Sequence, residues 1–310
     1  MNKEKISILY TAVICIAVIA IILFSFFWVF MGDEEPKSQT EISVVLYDAG
    51  SDGWESLLEG MKQAENDFSV NINYVVLRQS ADGAEQLETI QREIDNGVQG
   101  IIVAVCDYED MYEDLEQISN SVQMIAIESG VGDSMIPLFS ADNYEMGRRL
   151  GEQILIDFKD EENLTVALVS ESVKRDSVQK REQGLMDALE DKARVISLGA
   201  AINCETADAA VALHKESLLE LTERKDIALC HTKNYGIGNT ASIVAALDKG
   251  NLEKLIFQNE FNMGYLAVEA LLLSISGTSG YTVKNMDYYC VSREELYGTQ
   301  YEQLLFPIVE

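Results

Sequence analysis

The sequence predicts an α/β protein built on two doubly wound parallel sheets. Short apolar, β-branched segments recur along the chain, helical patterns separate them, and 310 residues accommodate about two domains at roughly 150 residues each. Parallel strands are covered by helices on both faces, so they consist of continuous apolar segments. The alternation therefore indicates strand–helix–strand units with right-handed connections.

The chain contains several segments that fit buried strands. The predicted strands are Ile42–Tyr47, Ile72–Leu77, Ile101–Cys106, Met124–Ile127, Leu164–Val169, Arg194–Leu198 and Ile227–Cys230. The strongest helical patterns begin near Trp54, Met146 and Leu266. Gly147 and Gly151 lie in the second of these helices and would allow another helix to approach closely.

The amino-terminal residues predict a single transmembrane anchor. Ile8 to Met31 is uncharged and almost wholly apolar, and as a helix it would be about 36 Å long, enough to cross a bilayer. Lysines precede it and acidic residues follow it, so the positive-inside rule places the amino terminus in the cytoplasm and the rest outside. A cleaved signal peptide and lipidation of Cys15 are alternative interpretations.

The resulting domain organisation is simple. Residues 1–40 form a cytoplasmic stub, a transmembrane anchor and a short linker, and residues 41–310 form one extracytoplasmic domain. The expected location is the cell membrane, with a single pass.

Composition excludes several classes of function. The chain has 23 Lys and Arg against 52 Asp and Glu, a formal net charge of −29, so nucleic acid would be repelled. The 5 cysteines form no Cys-x-x-Cys pair and there are only 2 histidines, so zinc-binding spacing is absent. No nucleophile–base pair or Gly-x-Ser-x-Gly turn is recognisable. We therefore expect no enzyme activity, no metal and no cofactor.

Ligand chemistry is expected where the predicted strands end. In doubly wound sheets, ligands bind outside the carboxyl ends of the strands. The loops at these positions carry an aromatic residue, several carboxylates and amides, and an arginine, and they include Ser51 and Asp107. An aromatic ring packs on the C–H face of a sugar, and polar side chains bind its hydroxyl groups. The combination predicts a sugar pocket.

Five segments together resemble the extracytoplasmic sugar-binding proteins of the ribose- and galactose-binding type, relatives of the lac repressor core. In chain order they read ISVVLYDAGSDGWESLLEGMKQAE, VQGIIVAVCD, FSADNYEMGRRLGEQI, SVQKREQGLMDAL, and LIFQNEFNMGYLAVEALL followed by YYCVSREEL. The resemblance covers about residues 41–300. It implies a type I periplasmic-binding-protein fold with a hinge of several crossovers. Lobe one would comprise about 41–141 and 259–287, and lobe two about 142–258 and 288–310.

The resemblance also implies roles for individual residues. Trp54 would stack on the sugar ring, while Glu128 and Arg181 would bind its hydroxyl groups. The remaining implied positions are Asn234 and Gln258 in the ligand site and Asp142 and Asn143 in the hinge. Each ligand residue has a plainer alternative: Trp54 as a core residue, Glu128 and Arg181 as solvated charges, and the two amides as turn residues.

Two functions follow from the resemblance. The first is a solute-binding receptor that closes two lobes on a small ligand, a monosaccharide, and presents the closed form to an ABC-type permease or a sensor kinase in the membrane. The second is an interaction module of the same fold that binds no ligand. Between Asn234 and Gln258 we count one strand–helix unit where the family has two, and this shortening favours the second function.

Overall fold

The computed structural model contains two α/β lobes, each built on its own sheet. It describes residues 16–22, 24, 39–47, 53–78, 82–169, 174–198, 207–223, 232–278, 285–298, 301 and 304–305. Residues up to Gln39 form a separate unit from Thr40–Glu310. In the first unit, residues 16–22 and 24 are helical, and the rest of the predicted anchor lies outside the described residues. Within the described part of the chain, no helix is long and apolar enough to cross a membrane.

Lobe one is built on five parallel strands in the order β2–β1–β3–β4–β5. The strands are β1 (Glu41–Leu46), β2 (Asn71–Val76), β3 (Gly100–Val103), β4 (Gln123–Ile127) and β5 (Leu138–Phe139). Consecutive residues of a strand point to opposite faces, and Val44, Val45 and Leu46 are all fully buried. Both faces of the sheet are therefore covered, as the continuous apolar segments predicted.

Four helices cover the sheet of lobe one. They are α1 (Glu55–Phe68), α2 (Gly83–Asp95), α3 (Tyr108–Ser119) and α8 (Glu260–Ile275), the last of which returns from lobe two. Helices α1 and α8 cross at Gly60 and Gly264. A Cβ atom on Gly60 would lie 2.0 Å from the carbonyl oxygen of Phe261. The helices predicted near Trp54 and Leu266 are thus confirmed, and they pack against each other.

Lobe two is built on six strands in the order β11–β10–β9–β8–β6–β7, with only β11 antiparallel to its neighbour. The strands are β6 (Thr165–Val169), β7 (Arg194–Leu198), β8 (Ala209–Ala212), β9 (Lys233–Ile237), β10 (Lys254–Gln258) and β11 (Tyr288–Ser292). The helices are α4 (Asn143–Asp157), α5 (Asp176–Leu189), α6 (Lys215–Glu223) and α7 (Ala241–Asp248).

The expected shortage of one strand–helix unit in lobe two is wrong. Strand β8 has the sequence Ala-Ala-Val-Ala, and alanine has a low preference for strands, so the segment was not recognised. Its four residues are nevertheless buried in the centre of the sheet. The predicted strand Ile227–Cys230 lies outside the described residues.

The lobes are connected by crossings at β5–α4, β10–α8 and α8–β11. Two of these crossings pair with each other through a parallel bridge between Ala141 and Met286. The side-chain oxygen of Gln258 accepts a hydrogen bond from the Ala141 N–H at 3.0 Å. All three crossings are thus tied together at the hinge.

Candidate ligand-binding site between the lobes

A buried ion pair joins the two lobes where their strands end. Glu128 directly follows β4 in lobe one, and Arg181 lies on α5 in lobe two. Arg181 Nη2 donates to Glu128 Oε1 at 3.0 Å, and the two side chains are only 3% and 4% exposed. The sequence predicted both as ligand-binding residues, and the structure brings them into contact.

Glu128 is held in an unusual backbone conformation. Its φ of +61° lies in the left-handed region, which non-glycine residues seldom adopt, and such strain is concentrated at functional sites. Its carbonyl oxygen accepts from Ser140 Oγ at 3.0 Å and from Asn143 Nδ2 at 3.3 Å. The hinge residues therefore fix the backbone from which this carboxylate projects.

The Glu128 carboxylate is ionised despite its burial. Burial alone would raise its pKa, but the positive charges of Arg181 and Arg175 and a 2.6 Å hydrogen bond from the Tyr47 hydroxyl hold the pKa below its usual value. The site therefore contains a buried negative charge matched by cations from the opposite lobe.

Arg181 bonds to three separate segments. Nε donates to Asn143 Oδ1 at 2.7 Å, and Nη1 donates to the Leu213 carbonyl at 3.1 Å, just after β8. Close packing of α4 against α5 sets its position, since a Cβ atom on Gly147 would lie 1.9 Å from the Arg181 carbonyl oxygen. The close approach predicted for Gly147 is confirmed, and it places the guanidinium.

Trp54 belongs to the same hydrogen-bonded cluster as Arg181. It is buried at the N-cap of α1, and its Nε1 donates to the Tyr47 carbonyl at 2.7 Å. The Trp54 and Tyr47 rings meet edge to face, with centroids 5.0 Å apart. The Tyr47 hydroxyl, at the other end of this residue, bonds to Glu128, so hydrogen bonds link Trp54 to Arg181 through Tyr47 and Glu128. We call this series of residues the polar chain.

A second buried ion pair, between Lys215 and Glu260, was missed by the sequence analysis. Lys215 is the first residue of α6 in lobe two, and Glu260 is the first residue of α8, which packs in lobe one. With the Asn239 amide turned so that its nitrogen faces Glu260, it donates to both carboxylate oxygens at 3.1–3.2 Å. The available signal was the position of Lys215 shortly after β8, and it was lost because β8 was not recognised.

Arg175, the N-cap residue of α5, and Ser177 in its first turn also lie in this region. The Arg175 guanidinium carbon lies 4.6 Å from the centroid of the Tyr47 ring. Ser177 lies one turn before Arg181 on the same face of the helix, and its backbone N–H donates to Ser129 Oγ at 3.3 Å. The buried Ser177 hydroxyl has no hydrogen-bond partner within the part of the chain that is described. Buried hydroxyl groups are normally bonded, so this hydroxyl could bond to a guest molecule that reaches it.

Asp107 makes a different interlobe contact. Its carboxylate caps α3 by accepting from the Asp110 N–H at 3.2 Å, and it pairs with Lys174 of lobe two. Burial opposes its ionisation, but these hydrogen bonds outweigh burial and hold its pKa below the usual value. Nearby, the Tyr108 hydroxyl donates to Gln179 Oε1 at 2.8 Å, so the two lobes are also in contact here.

The predicted hinge residues lie at the crossings. Asp142 caps α4 by accepting from the Glu145 N–H at 3.0 Å, and Asn143 connects Glu128 and Arg181. Gln258 ends β10 and bonds to the hinge backbone.

The predicted ligand position of Asn234 is wrong. Asn234 is the second residue of β9 and therefore lies near the amino end of its strand, whereas the site lies at the carboxyl ends. Its Nδ2 donates at 3.0 Å to the Asn251 carbonyl, which precedes β10. The error follows from placing the strand before this residue instead of around it. Ser51 lies outside the described residues.

Metal ligands do not cluster in the described residues: no group of three or more His, Cys, Asp or Glu side chains there could hold a metal ion. The arrangement of ion pairs, amides and a hydroxyl suits hydrogen bonding to a polar guest.

Comparisons with known proteins agree with this architecture. A family model described as a periplasmic binding protein domain matches residues 42–220. A glucose-galactose binding protein from Geobacillus stearothermophilus superposes with a TM-score of 0.75 at 19% identity, covering 84% of this chain and 100% of that one. A carbohydrate transporter solute binding protein from Agrobacterium Radiobacter, in complex with D-arabinose, gives 0.78 at 18% identity, with 87% and 99% covered.

A structure named XylFII-LytSN complex gives a TM-score of 0.70 at 14% identity, covering 82% of this chain and 98% of that one. No curated protein sequence matches. The superposed structures are covered almost completely, which agrees with a full complement of strands in both lobes. Since the family model matches more than half of the chain, this protein belongs to the periplasmic binding protein domain family, and its fold is that of the type I sugar-binding proteins.

Proposed function

We propose that the protein is a solute-binding receptor that captures a monosaccharide between its two lobes. The observation that carries this proposal is the polar chain from Trp54 through Tyr47 and Glu128 to Arg181, at the carboxyl ends of strands of both sheets. An ionised carboxylate accepts from sugar hydroxyls, and the guanidinium has five N–H donors, which exceed the bonds it makes here. The buried Ser177 hydroxyl adds a group that lacks a partner among the described residues.

Its proposed location is the extracytoplasmic face of the cell membrane. The support is the uncharged segment Ile8 to Met31, its flanking charges, and the exposure of the apolar side chains described between Ile16 and Phe24. Exposed apolar side chains of this size mark a surface that is covered by another medium or molecule.

The proposed membrane partner is an ABC-type permease or a sensor kinase that recognises the closed form. Ligand-driven closure of two lobes is a common switching motion. One solved structure of the same fold is named as a complex of XylFII with LytSN, which supports a second polypeptide as partner.

Sugar binding is tested by thermal unfolding of the full chain in detergent, with D-arabinose, D-xylose, D-ribose, D-glucose and D-galactose. A ligand at 100 times its Kd stabilises the folded state by about 2.7 kcal/mol, so one sugar should raise the Tm clearly. Ser177→Ala should fold normally and bind that sugar roughly 2- to 10-fold more weakly, the worth of one hydrogen bond. The matched control is Asn234→Ala, which should bind like the wild type. A Tm of the wild-type protein that does not change with any of these sugars would contradict the proposal.

A second function, the ligand-free interaction module, is favoured by one observation. Lobes one and two already contact each other through Glu128–Arg181, Lys174–Asp107 and Lys215–Glu260. Cross-linking in native membranes, with and without sugar, distinguishes the two functions. A receptor should give a different cross-linked product when the sugar is added. An interaction module should give the same cross-linked product with and without sugar.

A further inference from the structure

A lysine of lobe two lies against Trp54 of lobe one, for which the family resemblance implies sugar stacking. Lys215 Nζ is 5.1 Å from the centroid of the Trp54 ring. The same ammonium donates to the Gly53 carbonyl at 2.8 Å and pairs with the buried carboxylate of Glu260. Its side chain is only 12% exposed. Lys215 therefore makes an aromatic contact, a hydrogen bond and an ion pair across the gap between the lobes.

The preferences of helix α6 do not explain why a lysine occupies its first, buried position. Lys215 begins α6, and a cation at a helix N-terminus is opposed by the helix dipole. Burying an ammonium group costs free energy unless it is paired, and ordering a lysine side chain costs rotamer entropy. The residue conflicts with the preferences of its own helix, and its partners on lobe one compensate. Such local conflicts are expected at functional positions.

The contacts of Lys215 are of the kind that a bound sugar would make. A sugar would cover the aromatic face of Trp54 and would donate hydroxyl hydrogens to acceptors such as Glu260 and the Gly53 carbonyl. Lys215 satisfies these same groups from within the chain. A tethered group acts at an effective concentration in the millimolar range, so it competes with free ligand.

We propose that Lys215 is a built-in substitute for the ligand, whose ammonium bridges Trp54, Gly53 and Glu260 and holds the lobes closed while the cleft is empty. The part of this inference that concerns sugar rests on the proposed function: an incoming sugar displaces Lys215 from Trp54. The displaced sites on lobe one are acceptors, so the guest must supply donors, as hydroxyl groups do and carboxylates do not. A neutral polyhydroxylated guest is therefore favoured over an acidic one.

The latch, by which we mean the contacts of Lys215 with Trp54, Gly53 and Glu260, is tested without any ligand. The chain has 2 tryptophans, Trp28 and Trp54, so Trp28→Phe leaves Trp54 as the only indole fluorophore. Acrylamide quenching is then measured on the full chain in detergent. The buried Trp54 should be quenched weakly, and Lys215→Met should raise the quenching constant at least twofold because the lobes open. Glu260→Gln should have the same effect from the opposite lobe.

The matched control is Lys180→Met. Lys180 pairs with Asp176 on its own helix at 2.8 Å, so its loss removes an ion pair without releasing an interlobe contact, and quenching should stay at the wild-type level. Wild-type quenching in both Lys215→Met and Glu260→Gln, with a native circular dichroism spectrum, would overturn the latch. If Lys215→Met does not fold, Glu260→Gln alone decides.

The displacement step has its own readout. For a sugar that binds the wild type, Lys215→Met should bind it several-fold more tightly, because no lysine has to be displaced. Weaker binding would mean that Lys215 contacts the sugar and would overturn displacement. Absence of binding by any sugar would refute the receptor proposal but would leave the quenching result, and the latch, unaffected.

Discussion

Two buried ion pairs cross the gap between the lobes, and they differ in how firmly they are held. Arg181 and Glu128 are 3% and 4% exposed, and each has further hydrogen bonds to the hinge or to a strand end. Lys215 is more exposed, and its ammonium is a point charge on a flexible stem. The planar fork of arginine fits a framework pair that parts last when the lobes open, whereas the lysine pair is suited to exchange with a ligand.

The largest effect should come from breaking the framework pair. Arg181→Ala leaves the Glu128 carboxylate buried without its main cation, and we expect a loss of about 3–5 kcal/mol in the free energy of unfolding. Urea denaturation measures this loss. The control is Arg148→Ala, which removes an arginine paired with the half-exposed Glu145 and should cost far less. Equal losses in the two variants would contradict the assignment of Glu128–Arg181 as a buried pair.

The next effect concerns the helix crossing that positions Arg181. In Gly147→Ala the new methyl group meets the Arg181 carbonyl, and we expect a loss of about 1–3 kcal/mol from overpacking. Gly60→Ala creates the same conflict with Phe261 in lobe one and should cost a similar amount. Only Gly147→Ala should also weaken sugar binding, measured by titration calorimetry. An identical effect of both variants on binding would show that the crossing does not position the site.

The third prediction uses the ionisation of Glu128. Its pKa in the folded protein is lowered, so its contribution to stability is present above its unfolded pKa of about 4.3 and is lost as the pH falls towards the folded value. Wild-type stability should therefore fall below about pH 4.3 more steeply than that of Glu128→Gln. Urea midpoints between pH 3 and 6 measure the difference. Parallel curves would mean that Glu128 contributes nothing in this range.

The smallest effect is expected at Asn234, on the opposite end of the lobe-two sheet. Asn234→Ala removes one exposed hydrogen bond to the Asn251 carbonyl and should change the stability by less than about 0.5 kcal/mol. Sugar affinity should not change. A loss of affinity would return Asn234 to the ligand site and would require a different position for the cleft.

The sequence predicted the fold class because strands such as β1 are continuously apolar and helices such as α1 and α4 carry clear periodic stripes. The loops predicted at strand ends included Trp54, Glu128 and Arg181, and the family resemblance implied that these residues belong to one site. The prediction from sequence failed where burial outweighs intrinsic preference. Strand β8 is rich in alanine, which gives no strand signal, so Lys215 was not placed at a strand end. Asn234 entered the predicted site for a separate reason: the strand was predicted before it, at Ile227–Cys230, whereas Asn234 lies within β9.

The paired crossings at the hinge have a mechanical consequence. Gln258 and the Ala141–Met286 bridge tie the crossings together, so we expect the crossings to bend as one unit when the lobes move. When two lobes rotate about a hinge, the groups bonded to the hinge move least. Glu128 bonds directly to Ser140 and Asn143 beside the hinge crossings, whereas the hydrogen bond between Tyr108 and Gln179 joins helices α3 and α5, outside the crossings. Opening should therefore begin by parting Tyr108 from Gln179 and should reach Arg181 last.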